Sequence, residues 1–120
     1  AVSNALLDTP WPKTLRSAAR LSGLLARAEE VDPEALFELL SDRAGAPDDA
    51  LPDTGVGLAA ERLLAPPFIV SSAYGTRSST VLLVFRGGRA TLLERRFDER
   101  FREAGTARFE LDFPGWGERA

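Results

Sequence analysis

Tyr74-Gly75-Thr76-Arg77-Ser78-Ser79-Thr80-Val81-Leu82-Leu83-Val84-Phe85 is the stretch on which the fold turns. It opens as a polar loop with one arginine and runs into the most apolar segment of the chain. Val81–Phe85 is apolar at both alternating positions, which predicts a central strand covered on both faces. Arg77 then stands at the rim of a sheet, among the hydroxyls of Thr76, Ser78, Ser79 and Thr80. Two readings of this cation are open. It pairs with a carboxylate of the fold while the hydroxyls satisfy turn amides, or it receives a negatively charged ligand.

On either side of this stretch the pattern changes. Downstream, Arg86-Gly87-Gly88-Arg89 predicts a tight hairpin turn, because glycines supply the positive φ such turns require. Ala90–Phe97 returns beside the first strand. Ala107, Phe109, Leu111 and Phe113 alternate with Arg108, Glu110 and Asp112, a period of two with one face buried and one wet. Upstream, Phe68-Ile69-Val70 reads as a short strand. The Pro-, Gly- and Asp-rich region 44–67 reads as a long loop with one or two helical turns at Leu58–Leu64. Its acids lack the spacing of a calcium loop and read as solvated.

Two helices precede it. The first is expected from about Lys13 to Ala28, capped by Thr9 or Thr14. Leu15, Ala18, Leu21, Leu25 and Ala28 make its buried stripe, and Arg16, Arg20 and Arg27 its solvated face. The second begins at Asp32-Pro33-Glu34, an N-cap, a first-turn proline and an acid suited to the positive helix end. Leu36, Phe37, Leu39 and Leu40 are its buried side, and Gly45 its stop. The two are expected as an antiparallel pair. Ala1–Leu7 reads as the end of a strand carrying the lone amide Asn4, which either satisfies a backbone group or takes a functional role. Trp11, between two prolines, reads as a core anchor.

At 120 residues the chain fits one domain, spanning 1–113 with a loose tail over 114–120. Its net charge of −3 and the lack of a basic face argue against nucleic acid and anionic membrane as partners. No apolar run approaches the ~20 residues that span a bilayer. With no signal peptide visible, a cytoplasmic location is expected. The absence of Cys and His removes thiolate nucleophiles, Ser-His-Asp triads and the commonest metal ligands from these residues, so no metal site is expected. Fourteen of the fifteen basic residues are Arg, Lys13 being the exception, a bias that suggests a GC-rich bacterial gene. The lack of any Met suggests a processed chain or a piece of a longer one. An α+β layer of two helices on an antiparallel sheet covers one side of a two-sided strand and leaves the other needing a second sheet. Half of the fold is therefore expected to lie elsewhere.

Two blocks, Ser3-Asn4-Ala5-Leu6-Leu7-Asp8-Thr9-Pro10-Trp11-Pro12-Lys13 and Tyr74-Gly75-Thr76-Arg77-Ser78-Ser79-Thr80, resemble signature blocks of the NRDE family, also called the transport and Golgi organisation protein 2 family. Glu94-Arg95 and Phe109-Glu110-Leu111 fit as well, so the likeness runs from about Ser3 to Phe113. The Asn-Arg-Asp-Glu block that names the family, and the cysteine after its initiator methionine, are absent here. The resemblance implies the C-terminal half of an αββα sandwich like that of N-terminal nucleophile hydrolases. It implies hydrolysis of a C–N amide bond by an upstream cysteine, with Asn4 holding the oxyanion and Arg77 favouring the thiolate or orienting a substrate. Tyr74, Thr76, Arg77, Ser78 and Ser79 would line the ligand site. The alternative it implies is carriage of haem or an acyl-CoA-like lipid without reaction. The expected partners are the missing N-terminal half and a small molecule bearing a carboxylate or amide. No cofactor is expected in this chain itself.

Overall fold

The computed structural model describes residues 1–3, 5–27 and 29–114. The chain is α+β, with three helices followed by a three-stranded antiparallel sheet. It divides into two compact units, Ala1–Gly75 and Thr76–Ala120.

In the first unit, the expected strand at Ala1–Leu7 is instead a turn. The Asp8 amide donates to the Ala1 carbonyl at 2.8 Å and the Thr9 amide to that of Leu6 at 3.1 Å, with Asp8 at φ +60°. Prolines 10 and 12 restrict the residues before them, and Trp11, ahead of Pro12, is extended at φ −67° and ψ 145°; Pro12 then opens helix α1 (Pro12–Leu25) behind the N-cap Trp11. Neither expected cap serves. The Thr9 hydroxyl donates back to the Leu6 carbonyl, and Thr14 lies inside the helix. Trp11 is half-buried rather than fully in the core. The expected helix end at Ala28 falls outside the described residues, and α1 stops at Leu25.

Helix α2 (Pro33–Leu40) starts as its sequence dictates: the Asp32 carboxylate accepts from the Glu34 amide at 2.9 Å, with Pro33 at the first position. Phe37 and Leu39 are buried. The helix ends before Gly45 because Ser41 takes over the cap, its hydroxyl donating to the Phe37 carbonyl at 2.8 Å. Asp42 then faces back to α1. Arg16 Nε donates to it at 2.9 Å, and Arg20 Nη1 lies 3.2 Å away. Residues early in α1 thus meet the end of α2, which makes the pair antiparallel.

That ion cluster corrects the expected orientation of α1. Of the face expected to be solvated, Arg20 and Arg27 are exposed, whereas Arg16 is half-buried against Asp42, a contact that Arg20 shares from the surface. The stripe expected to be buried is turned outward, with Leu15, Leu21 and Leu25 exposed. An apolar period identifies a stripe but not the partner it meets. Here two charge-assisted contacts to one half-buried carboxylate decide which side faces α2.

The region after α2 is pinned rather than free. A single 3-10 turn at Asp48–Ala50 is tied to α3 (Leu58–Leu64) by a bidentate Arg62–Asp48 pair. Glu61, buried on α3, accepts both the Thr54 amide at 2.7 Å and the Thr54 hydroxyl at 2.6 Å. Phe68–Val70 is not a strand. Phe68 is buried, its amide donates to the Asp42 carbonyl at 2.9 Å, and only Val70 makes a lone bridge, to Gly75.

The second unit is the sheet: β1 (Ser78–Val84), β2 (Arg89–Phe97) and β3 (Glu103–Asp112), in the order β1-β2-β3. The hairpin turn forms as expected, with Gly87 and Gly88 at φ +89° and +85° and the Phe85 amide donating to the Arg89 carbonyl at 2.8 Å. The strand expected to be central, β1, lies at an edge, and β2 is the middle one. The strand is also one-sided. Ser79 and Val81 are buried, whereas Leu82 and Val84 are 55% and 48% exposed. On β3 the period of two holds but the burial does not, since Phe109, Leu111 and Phe113 are all exposed.

The Asp42 cluster makes a first test. Burial alone pushes this carboxyl up. The Ala44 amide, the Arg16 hydrogen bond and the charges of Arg16 and Arg20 outweigh it and hold the group below the ordinary carboxylate range. A depressed folded pKa contributes stability that is present above the unfolded carboxylate value and fades as pH falls through the folded one. Asp42→Asn should cost about 1–2 kcal/mol at neutral pH, and the two proteins should converge in acid. Urea melts at pH 7 and pH 3 check this; an equal gap at both values contradicts the cluster's role.

Candidate functional site

Arg77 sits immediately before β1. Its backbone carbonyl accepts the Phe97 amide at 2.9 Å, which closes the end of the β1–β2 pair. Its side chain reaches over the β2–β3 connection, where Nη1 donates to the Asp98 carbonyl at 2.9 Å. That connection is itself held tightly. The Asp98 carboxylate accepts the amides of Arg100 and Arg102 at 2.8 and 2.9 Å and Arg102 Nε at 2.9 Å. The Arg102 amide first, then the Arg102 side chain, the Arg100 amide and the Arg102 charge, hold the Asp98 carboxyl below its usual range against the opposing effect of desolvation. Asp98 is thus committed to Arg102, and Arg77 meets only its neutral carbonyl.

Of the two readings of Arg77, the structural one holds in altered form: the fold does hold the guanidinium, but through a carbonyl. Among the described residues no carboxylate pairs with Arg77. Arg77 is exposed.

The hydroxyls expected around it separate. Alternation along β1 sends Ser79 to the buried face with Val81, while Ser78 and Thr80 are exposed. Thr76 is half-buried. Tyr74 belongs to the end of the first unit and is 60% exposed. There the Ser71 hydroxyl donates to the Tyr74 carbonyl at 2.6 Å and accepts its amide at 2.9 Å, a local turn. Asn4 lies outside the described residues. Arg77 with Ser78 is therefore what the second unit presents of the expected ligand set.

For haem, the donor set fits poorly. The chain has no His, Cys or Met, so Tyr74 is the one ordinary axial donor type present. Arg77 suits a propionate instead. No group of three or more acidic, His or Cys side chains that could hold a metal ion exists among the described residues.

The sequence reading passed over Lys13. In the first unit this lone lysine donates from Nζ to the Leu64 carbonyl at 3.0 Å, at the end of α3, and its ammonium lies 5.7 Å from the Trp11 ring centre. Burial lowers its pKa from the ordinary value, while the nearby Glu61 carboxylate acts in the opposite sense. Lys13 lines two hollows: one of about 20 Å³ beside Trp11, Leu51 and Pro52, and an open groove of about 610 Å³ beside Val2, Thr14, Leu21, Leu39 and Pro67. The Thr14 hydroxyl, buried at the groove's wall, has no hydrogen-bond partner among the described residues. The sequence signal that marks Lys13 is its being the only lysine among fourteen arginines. A compact ammonium fits a helix end where a planar guanidinium does not.

The family model described as Transport and Golgi organisation 2 matches residues 1–99. The chain is similar to the Transport and Golgi organization 2 homolog of Mus musculus, 32% identical over 101 residues, which cover 78% of this chain and 37% of that protein. The Bos taurus and Homo sapiens homologs give the same identity and the same coverage. The chain thus spans little more than a third of the length of the curated relatives it matches. The matched residues 1–99 contain both Lys13 and Arg77.

The role of Lys13 in joining α1 to α3 gives a second test. Lys13→Met should lower stability by about 1–2 kcal/mol through the lost charged hydrogen bond to Leu64. Lys13→Arg should recover only part of it. Thermal unfolding followed by circular dichroism reads the difference; an unchanged midpoint in Lys13→Met contradicts the assignment.

Proposed function

The chain belongs to the Transport and Golgi organisation 2 family, and we propose that it contributes the ligand-orienting side of a small-molecule site, with Arg77 receiving a carboxylate or an amide carbonyl. One observation carries this reading: an exposed guanidinium whose position is fixed by the Asp98 carbonyl but whose charge no described carboxylate neutralises. A cation held this way keeps donors directed outward and loses little entropy on binding an anion.

In the reactive version of this reading, the ligand is the substrate of C–N amide hydrolysis. The nucleophile is a cysteine outside these residues, Asn4 donates to the developing oxyanion, and Arg77 holds the thiolate or the substrate's carboxylate. With no Cys in this chain, it supplies support to that reaction and not its cysteine nucleophile. The second version is carriage of haem or an acyl-CoA-like ligand, which needs no nucleophile, although the lack of His argues against axial ligation of haem iron by these residues. There Arg77 meets a propionate or a phosphate.

The test is a titration of the protein as the cell makes it with haem and with acyl-CoA, together with an assay for amine release from N-acyl amino acids. Arg77→Ala should weaken binding, or lower kcat/KM for hydrolysis, about ten-fold or more, with Arg77→Lys in between. Saturable binding or turnover that is identical in wild type and Arg77→Ala contradicts the proposal.

A further inference from the structure

Lys13 carries the only side-chain amine in the protein, and the first unit places it where an amine can react. It lines the open groove of about 610 Å³, a volume in the range of small-molecule sites. The other walls are largely hydrocarbon: Val2 from the N-terminal turn, Leu21 from α1, Leu39 and Leu40 from α2, and Pro67. The nitrogen is held by a neutral acceptor, the Leu64 carbonyl, which occupies one of its donors. The nearby Glu61 carboxylate is engaged by the Thr54 amide and hydroxyl. Next in sequence, and at the same wall, the buried Thr14 hydroxyl has no partner among the described residues. The groove thus brings together a reactive type of group and a hydrogen-bond donor that the fold has not used.

We propose that Lys13 is a covalent site for a neutral, apolar aldehyde, which enters the groove and condenses with the ε-amine to an imine. The lone pair of the unprotonated Nζ attacks the carbonyl carbon, an N–C bond forms, and a proton passes from nitrogen to the carbonyl oxygen. The C–O bond of this carbinolamine then breaks and water leaves. Amine and aldehyde give imine and water, and no oxidant or further reactant is needed. The Thr14 hydroxyl is the donor for the carbonyl oxygen as negative charge builds on it. The lining selects the electrophile. Its charged groups are Lys13 itself and the Ala1 amino group, which is paired with Asp8. Once Lys13 is unprotonated, its wall has no cation left to hold a carboxylate, so a neutral carbonyl compound fits and a keto acid does not. Burial lowers the Lys13 pKa and so raises the share of unprotonated amine. Glu61 on α3 opposes this, while α2 brings only Leu39 and Leu40 to the groove. The site belongs to the first unit and is independent of the role given to Arg77.

Trapping with cyanoborohydride, which reduces an imine to a stable amine, tests the proposal. Protein at pH 7, folded or unfolded in guanidinium chloride, is treated with hexanal or acetaldehyde, and tandem mass spectrometry locates the adduct. With hexanal, Lys13 should be labelled about ten-fold faster in the folded protein than in the unfolded one. Acetaldehyde, too short to fill the groove, should show little such preference. Leu21→Trp narrows the groove without touching the amine and should abolish the preference for hexanal. Thr14→Val should slow the labelling several-fold, and circular dichroism checks that both variants fold. Equal labelling of folded and unfolded protein overturns the proposal. So does label on the Ala1 amine without Lys13, or a Leu21→Trp or Thr14→Val protein that reacts as fast as the wild type. Hexanal that binds saturably but leaves no trapped adduct overturns it too, since the groove would then hold its ligand without a bond.

Discussion

A β-strand shows its side chains to two sides in strict alternation, and β1 cannot escape this. Its four consecutive apolar residues, Val81 to Val84, must place hydrocarbon on both faces of the sheet. The pairing of Val81 with Leu93 fixes which residues go to the closed side and which to the open one. A slip of one residue would exchange them. The Gly87-Gly88 turn makes that slip costly, since positive φ is needed at two defined positions. From this register follow the buried Ser79, the open Leu82 and Val84, and the seating of Arg77 one residue before the strand.

Arg77 depends on the same register. Closing the β1–β2 pair with the Phe97 amide brings the β2–β3 connection alongside the Arg77 side chain. Asp98 is at hand, but its carboxylate is already occupied by two amides and Arg102. The arginine is therefore positioned without being neutralised by a carboxylate of the described residues. In the first unit the reverse happens at Asp42, where one carboxylate gathers two arginines and fixes a helix. The same residue type is structural in one place and available in the other, and its partners decide which.

How much of this was legible in the sequence depended on the range of the forces involved. The start of α2 and the hairpin turn were readable because Asp32-Pro33-Glu34 and Gly87-Gly88 act within a few residues of themselves. The family was readable from two blocks whose residues the matched region contains. The central position of β1 was misjudged, because two-sided hydrophobicity reports what a strand needs and not what this chain provides. The outward turn of Leu15, Leu21 and Leu25 was hidden for a similar reason: Asp42 lies 26 residues from Arg16, and no local pattern announces that pair. Phe68–Val70 has strand composition, yet the Phe68 amide goes to Asp42 rather than to a neighbouring strand. In the site, Arg77 stood out as a cation before a strand, whereas the parting of Ser78 from Ser79 needed the strand's starting phase.

The phase of β1 against β2 and β3 decides which side chains reach each face of the sheet and where Arg77 sits. Side-chain NOEs in the 120-residue chain measure it. The register predicts contacts from Leu82 to Leu92 and from Leu92 to the Phe109 ring on one face, and from Val81 to Leu93 on the other. Contacts from Leu82 to Leu93, or from Val81 to Leu92, would show a one-residue shift and would contradict both the open face and the placement of Arg77.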